Sequence, residues 1–171
     1  QSDLRPDSVG LPVPSTDVQL RDEEGHEVPP GERGELCARG PQVMRGYWQR
    51  PHDTERTIRD GWLLTGDVAT VDEQGFFRIV DRKKDIIKTS GFLVFPAEVE
   101  EVLCTFPAVA EAAVIGVPDP DRGEVVAAML VPRNGSTIDF DALEAHCLQH
   151  LGKVKRPRQF EIARELPKNF L

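Results

Sequence analysis

Apolar and polar positions along the chain separate a first part of short extended runs from a second part that mixes helices with strands. In the first part, the period-two alternation at Val18–Leu20 is typical of a half-buried strand. The segment Val28–Gly34 contains two prolines and two glycines, which favours a loop. Extended segments are predicted at 18–20, 35–39, 43–48, 62–71 and 76–80, with one or two helical turns at 52–58.

The second part combines two amphipathic helices with three strands. Pro96–Thr105 begins with a proline followed by early glutamates, and both features favour the first turn of a helix. Asp139–Leu151 places apolar residues four positions apart, which predicts a second helix. Strands are predicted at 109–117, 125–131 and 160–163. Because 125–131 is almost entirely apolar, we expect that strand to be central or covered on both faces.

These patterns predict an α+β fold in two parts that meet near residue 82. Residues 1–82 are interpreted as the β-rich end of a larger domain. Residues 83–171 are interpreted as a small domain with a short sheet flanked by helices. Both parts are small for a self-sufficient hydrophobic core, and the first lacks an obvious full set of strands. We therefore expect the chain to be a fragment of a longer protein.

The composition is typical of a soluble globular protein. Of its 171 residues, 39% are hydrophobic and 29% are charged. The formal net charge of -8 argues against nucleic acid as a partner, because binding to phosphate backbones needs basic surface. No apolar run approaches the roughly 20 residues of a membrane helix, and no signal peptide is recognisable. Three widely spaced cysteines are typical of reduced thiols. A cytoplasmic location is therefore expected, with peripheral association with a membrane as an alternative, and the oligomeric state is left open.

A short basic segment interrupts this acidic chain. Residues 78–88 contain five basic and two acidic side chains, which leaves a local charge of +3. A local excess of positive charge indicates a bound anion, although a solvated turn is the common alternative. The five basic residues are Arg78, Arg82, Lys83, Lys84 and Lys88.

The residues around this segment suit a nucleotide. Gly66 permits a ligand to approach the backbone closely, and the carboxylate of Asp67 can accept two hydrogen bonds from a vicinal diol such as that of ribose. Arg82 follows after the intervening hairpin and can bind the same sugar. Lys88 supplies a point charge for a phosphate, and Gly91 leaves room for a narrow channel. Each residue taken alone also fits an ordinary turn or a solvated position.

Several longer motifs stand in fixed order: Gly34–Trp48, Asp60-Gly-Trp-Leu-Leu-Thr-Gly-Asp67, Gly75–Gly91 and Phe95-Pro-Ala-Glu-Val-Glu100. In this combination the chain closely resembles the adenylate-forming superfamily. That superfamily includes acyl- and aryl-CoA synthetases, the adenylation domains of peptide synthetases, and beetle luciferase. The resemblance covers essentially the whole chain, and it is strongest to bacterial medium- or long-chain fatty acid–CoA ligases.

The resemblance implies a two-step reaction. A fatty acid and ATP give an acyl-adenylate and pyrophosphate, with Mg2+ bound largely by the rest of the large domain. Coenzyme A (CoA) then attacks the adenylate and AMP is released. By motif position, Asp67 and Arg82 would bind the ribose of ATP and of the adenylate. Lys84 would be the hinge about which the small domain rotates between steps. In the thioester-forming orientation, Lys88 would act catalytically and Gly91 would border the pantetheine tunnel.

Some parts of such an enzyme are not found in this sequence. The phosphate loop and the acyl pocket are expected upstream. The lysine used in adenylation is expected just after the chain, and Lys168 precedes that position. The fragment alone is therefore expected to be inactive. The alternatives are an adenylation domain that loads a carrier protein, an aryl-CoA ligase, and a non-catalytic nucleotide-binding α+β module.

Two clusters on the predicted helices have simple interpretations. His146 and His150 have the spacing of metal ligands on one helix face. We interpret them as helix-surface histidines, and no metal site is predicted. Glu98, Glu100 and Glu101 are interpreted as charges that complement the dipole at a helix start.

Two further features are assigned no catalytic role. The basic run Lys153–Arg158 is interpreted as a solvated connection, with the phosphates of CoA or an anionic membrane surface as alternative partners. Tyr47 and Trp62 belong to the motifs above and are interpreted as structural residues.

Overall fold

The computed structural model describes Arg5 and residues 7–167. The chain forms two compact units, Gln1–Lys84 and Asp85–Leu171. Each unit contains its own sheet, and the predicted α+β class is confirmed. Lys168 lies outside the described residues.

The first unit is an antiparallel sheet built around one long strand. Its elements are β1 Asp17–Arg21, β2 Gly34–Arg39, α1 Pro51–Thr57, β3 Ile58–Arg59, β4 Trp62–Val71 and β5 Phe77–Arg82. The ten-residue β4 pairs with β2, β3 and β5, and β1 pairs with β2. Leu20, Ala69 and Phe77 form the buried core of this unit. The long strand therefore connects most of the sheet.

A two-residue turn joins β3 to β4. Asp60 and Gly61 have φ values of 50° and 79°, and the paired residues Arg59 and Trp62 close the hairpin. Positive φ at both central positions matches the twist of paired strands and favours an Asp-Gly sequence. The Asp60-Gly61 sequence therefore explains this tight turn.

The segment Val43–Trp48, predicted to be extended, forms turns and bends. The hydroxyl oxygen of Thr54 in α1 accepts a hydrogen bond from the backbone N–H of Tyr47 at 2.9 Å. The Thr54 side chain also lies only 2.6 Å from where a β-carbon on Gly46 would be. This close packing against α1 keeps the segment out of the sheet, so the prediction of an extended run was wrong.

The second unit is a mixed sheet with two helices. Its elements are β6 Ile87–Thr89, β7 Phe92–Val94, α2 Pro96–Cys104, β8 Val109–Asp119, β9 Gly123–Pro132, α3 Phe140–His150 and β10 Gln159–Ile162. β9 pairs along its length with β8, in parallel with β10, and at one position with β6. The expectation that the apolar strand is central is therefore confirmed. The β6–β7 hairpin was not predicted.

One hydrophobic core joins the helices of this unit to its sheet. It includes residues from α2, β8, β9 and α3: Val99, Leu103, Val114, Val126, Leu130, Leu143 and Cys147. Asp139 caps the start of α3, because its carboxylate accepts hydrogen bonds from the N–H groups of Asp141 and Ala142. Apolar spacing and a capping residue together explain why α3 forms at its predicted place.

The three cysteines differ in burial. Cys37 and Cys147 are buried, as expected of small apolar side chains, whereas Cys104 is exposed. Among the described residues, no helix combines the length and the apolar character needed to cross a bilayer.

Candidate functional site

Asp67 and Arg82 lie directly opposite each other on β4 and β5. The Nε atom of Arg82 is 3.0 Å from Oδ1 of Asp67, and the two side chains are 62% and 28% exposed. The pair is thus accessible to a ligand while each member holds the other in place. A carboxylate and a guanidinium side by side offer acceptors and donors to neighbouring hydroxyl groups.

Asp67 stands at the end of a bulge in β4. Cys37 of β2 pairs with Leu64 and Glu35 pairs with Val68, so three residues of β4 face a single residue of β2. The Thr65 hydroxyl donates a hydrogen bond to the carbonyl oxygen of Leu36 at 2.8 Å. It also accepts one from the backbone N–H of Asp67 at 3.1 Å. The motif residues therefore fix the backbone of Asp67 locally.

Gly66 is required at the centre of this bulge. Its φ is 77°, a left-handed conformation that glycine adopts at little cost. Nothing lies within 4 Å of where its β-carbon would be. Backbone conformation, and not lack of space, accounts for this glycine.

A buried carboxylate that the sequence did not single out supports the bulge. Glu35 is 8% exposed, and its Oε1 accepts a hydrogen bond from the N–H of Gly66 at 3.2 Å. Its Oε2 is 2.7 Å from Nζ of Lys83. These two contacts offset the cost of burying the carboxylate. Glu35 therefore links the bulge beside Asp67 to the residue that follows Arg82.

Glu35 and Lys83 also line an open cleft within the first unit. Thr65, Gly66 and three arginines share the lining, which contains more basic than acidic side chains. One of these arginines, Arg50, forms an ion pair with Asp53 at 2.6 Å. The remaining positive charge suits an anionic ligand.

Two residues of the basic segment pair with acidic side chains, and a third lies in an exposed turn. Arg82 and Lys83 each contact a carboxylate of the first unit. Lys84 is exposed in a 3-10 turn, Lys83–Asp85, which spans the boundary between the two compact units. The charges that the sequence groups together therefore have separate surroundings.

Lys88 and Gly91 belong to the β6–β7 hairpin of the second unit. Lys88 is exposed on β6, opposite Leu93 of β7. Ser90 and Gly91 form the turn with φ values of 50° and 81°. Gly91 is therefore at the hairpin tip, with nothing within 4 Å of a β-carbon placed there. The structure brings Asp67 together with Arg82, and it places Lys88 and Gly91 in one hairpin.

The histidines of α3 and the glutamates of α2 contact specific partners. Nε2 of His146 is 2.9 Å from the Thr105 hydroxyl, so this histidine bridges α3 and the end of α2. Oε1 of Glu100 accepts a hydrogen bond from the N–H of Val114 at 2.8 Å. Complementing the helix dipole is thus not the only role of these glutamates. Among Arg5 and residues 7–167, no three His, Cys, Asp or Glu side chains are grouped as a metal site.

Two members of the basic run at 153–158 are used within the second unit. Nζ of Lys155 is 2.6 Å from Oε1 of Glu98. Nε of Arg156 donates a hydrogen bond to the carbonyl oxygen of Leu151, next to the end of α3. These contacts give the run a structural role rather than a purely solvated one.

Both parts of the chain match known protein families. Residues 1–48 match the family described as AMP-binding enzyme, and residues 98–169 match the AMP-binding enzyme C-terminal domain. The long-chain-fatty-acid–CoA ligase of Salmonella typhimurium is 52% identical over 167 residues, which cover 98% of this chain and 30% of that protein. The feruloyl-CoA synthase of an Amycolatopsis species is 50% identical over 160 residues, covering 94% of this chain and 33% of that protein.

A solved structure shares the fold over nearly the whole chain. ATP-bound MatB from Rhodopseudomonas palustris superposes with a TM-score of 0.91 at 38% sequence identity. The match covers 96% of this chain and 33% of that one. The chain spans about three-tenths of the length of the curated relatives it matches.

Proposed function

The chain belongs to the family of AMP-binding, adenylate-forming enzymes, and on this premise we propose that it is part of an AMP-forming acyl-CoA synthetase. In the first step, the carboxylate of the acid attacks the α-phosphorus of ATP and pyrophosphate leaves. In the second step, the thiol of CoA attacks the acyl carbon of the adenylate and AMP leaves. Mg2+ would accompany ATP and be bound largely outside this chain.

The observation that carries this proposal is the Asp67–Arg82 pair. Their side chains meet at 3.0 Å beside a bulge whose backbone is held by Thr65 and Glu35. A rigid carboxylate can accept hydrogen bonds from the 2′- and 3′-hydroxyls of ribose, and the guanidinium orients the carboxylate. We assign the pair to the ribose of ATP, of the adenylate and of AMP.

We assign the second unit to the mobile domain of the enzyme. Lys84 lies in an exposed turn at the unit boundary, and this position supports its role as the hinge. Lys88 and Gly91 share one hairpin, which would enter the active site after rotation. In that orientation Lys88 would place positive charge near the adenylate phosphate during thioester formation. Gly91, lacking a side chain, would leave the pantetheine path open.

We propose a long-chain fatty acid as the substrate. Support comes from the ligase of Salmonella typhimurium, which is 52% identical to this chain and is named for that substrate. An aromatic acid is the second candidate, because a feruloyl-CoA synthase is nearly as similar, at 50%. Both substrates fit the same chemistry at the phosphorus and the acyl carbon.

A panel of acids given to the whole protein tests this proposal. The panel contains saturated fatty acids of increasing length and hydroxycinnamic acids such as ferulic acid, each with ATP, Mg2+ and CoA. AMP and acyl-CoA should form together, with the highest kcat/KM for a long chain. A preference for ferulic acid would select the aryl-CoA alternative. Formation of ADP instead of AMP, or of no thioester with any acid, would contradict the proposal.

A further inference from the structure

The β6–β7 hairpin is attached to the start of β9 by two backbone contacts. The N–H of Ser90 donates a hydrogen bond to the carbonyl oxygen of Arg122 at 2.8 Å. Thr89, which is 5% exposed, pairs with Gly123 in antiparallel register. The hairpin is therefore attached to β9, the central strand of the sheet.

The next residue of β9, Glu124, contacts the hairpin through its side chain. Oε2 of Glu124 accepts a hydrogen bond from the backbone N–H of Lys88 at 2.7 Å. Hydrogen bonds to an ionised carboxylate are about twice as strong as neutral ones. The Glu124 carboxylate thus takes the place of a backbone carbonyl as the acceptor for the N–H of Lys88. Lys88 is the residue whose side chain is proposed to act in thioester formation.

Gly116 leaves the space that this carboxylate occupies. It lies on β8, and a β-carbon there would be 2.8 Å from Oε1 and 3.0 Å from Oε2 of Glu124. Its backbone is not in the positive-φ region, so the glycine is needed for space and not for conformation. A methyl group at this position would meet the far end of a flexible side chain. The carboxylate would move while the strand stayed in place.

Gly123 brings the two backbones close for a different reason. Its φ is 78°, and a β-carbon there would lie 3.2 Å from the carbonyl oxygen of Lys88. Gly123 therefore leaves room for the carbonyl oxygen of Lys88 beside β9, and the Glu124 carboxylate binds the N–H of the same residue.

We propose that Glu124 is a positioning residue for Lys88 in thioester formation, an inference that rests on the function proposed above. In this role Glu124 would act through the backbone of Lys88 and not on the reacting atoms themselves. It fixes the backbone from which the Lys88 side chain projects, and so sets where the ammonium group lies once the hairpin enters the active site. Misplacing a catalytic group by about 1 Å can cost about a hundredfold in rate.

Four variants of the whole protein, compared with Lys88→Ala as the reference, separate positioning from general stability. Glu124→Ala removes the acceptor, whereas Glu124→Gln keeps an oxygen at the same distance from the backbone. Gly116→Ala leaves Glu124 in the chain but displaces its carboxylate. Gly152→Ala is the matched control, because nothing lies within 4 Å of its β-carbon position and its φ is ordinary.

Two half-reactions are measured for each variant. Acid-dependent ATP–pyrophosphate exchange reports adenylation, and the single-turnover rate of CoA with the preformed adenylate reports thioester formation. Glu124→Ala and Gly116→Ala should slow thioester formation by about tenfold or more, as should Lys88→Ala. Their exchange rates should stay at the wild-type level. Glu124→Gln should recover most of the rate, and Gly152→Ala should match wild type.

Two other results would overturn the inference. If Glu124→Ala and Gly116→Ala leave thioester formation unchanged, or slow both half-reactions equally while Lys88→Ala slows only the second, Glu124 does not position Lys88. In that case the proposed function still stands. If the wild-type protein forms no acyl-CoA with any acid, the proposed function fails and the positioning role fails with it. Because Gly116→Ala perturbs only a flexible side chain, the test survives if Glu124→Ala does not fold.

Discussion

Arg82 and Asp67 face each other across β4 and β5, with Nε 3.0 Å from Oδ1. The same sheet contains a second cross-strand pair of the same kind, Asp17 and Arg39, with Nη2 of Arg39 2.8 Å from Oδ2 of Asp17. Only the first pair stands beside a bulge with a left-handed glycine and a buried glutamate. Asp17 and Arg39 therefore provide a control, because they form an ion pair between two strands without these supporting residues.

Removal of Glu35 is expected to destabilise the bulge. Glu35→Ala leaves the N–H of Gly66 without its acceptor and Lys83 without its partner. We expect a loss of about 2 kcal/mol in the free energy of unfolding of the first unit. Glu35→Gln should cost less, because an oxygen remains for Gly66. Urea denaturation and hydrogen exchange at the Gly66 amide provide the measurement.

Asp17→Ala is the control for this prediction. Its pair is exposed, so we expect a loss of at most about 1 kcal/mol. Equal losses for Glu35→Ala and Asp17→Ala would mean that the buried glutamate does not support the bulge.

Limited trypsin digestion should distinguish the two basic runs. Lys84 is exposed in the turn at the unit boundary, where a proposed hinge should open readily. In the run at 153–158, Lys155 is paired with Glu98 and Arg156 contacts the end of α3. Cleavage after Lys84 should therefore be at least about tenfold faster than cleavage within 153–158. Mass spectrometry identifies the first cuts, and earlier cleavage at 153–158 would count against a hinge at Lys84.

The buried thiols should make stability fall in alkaline solution. Burial raises the pKa of Cys37, and the nearby Glu35 carboxylate adds to the shift. Burial also raises the pKa of Cys147. Above about pH 8.5, unfolded thiols lose protons that the folded ones keep, so unfolding becomes easier as pH rises. Urea denaturation at pH 7.5 and 9.5 should show the decrease, and Cys37→Ala should reduce it.

Reaction with a disulfide reagent at pH 8 checks the same point independently. Cys37 and Cys147 should react much more slowly in the folded protein than in urea, because both are protonated and buried. Three thiols reacting at the unfolded rate in the folded protein would contradict the buried placement.

Short-range sequence signals were sufficient for most of the fold. Apolar spacing and the proline at its first position located α2 within a residue of its observed span, and an unbroken apolar run identified β9 as central. The hairpin β6–β7 was missed because each strand has only three residues. Such strands are too short to show a period. The turn at Ser90–Gly91 was the only local signal for it.

The polar partners of the site could not be predicted in the same way. Glu35 and Lys83 are 48 positions apart, and Lys88 and Glu124 are 36 apart. Only the strand register brings these groups together, and no pattern of residue types along the chain encodes that register. Asp67 and Arg82 were expected to bind the same sugar across an intervening hairpin, and the strand register places the two residues directly opposite each other. Distance along the chain, rather than residue type, limited the prediction.

The ribose assignment of Asp67 is tested most directly by the ATP dependence of acid-dependent ATP–pyrophosphate exchange in the whole protein. Asp67→Asn removes the charge from the hydrogen bonds to the sugar, and Asp17→Asn makes the same change in the control pair. We expect the KM for ATP to rise about tenfold or more in Asp67→Asn, as a charge-assisted hydrogen bond is worth about 1.5–3 kcal/mol. Asp17→Asn should leave it unchanged. An unchanged KM for ATP in Asp67→Asn, or equal increases in both variants, would contradict the assignment.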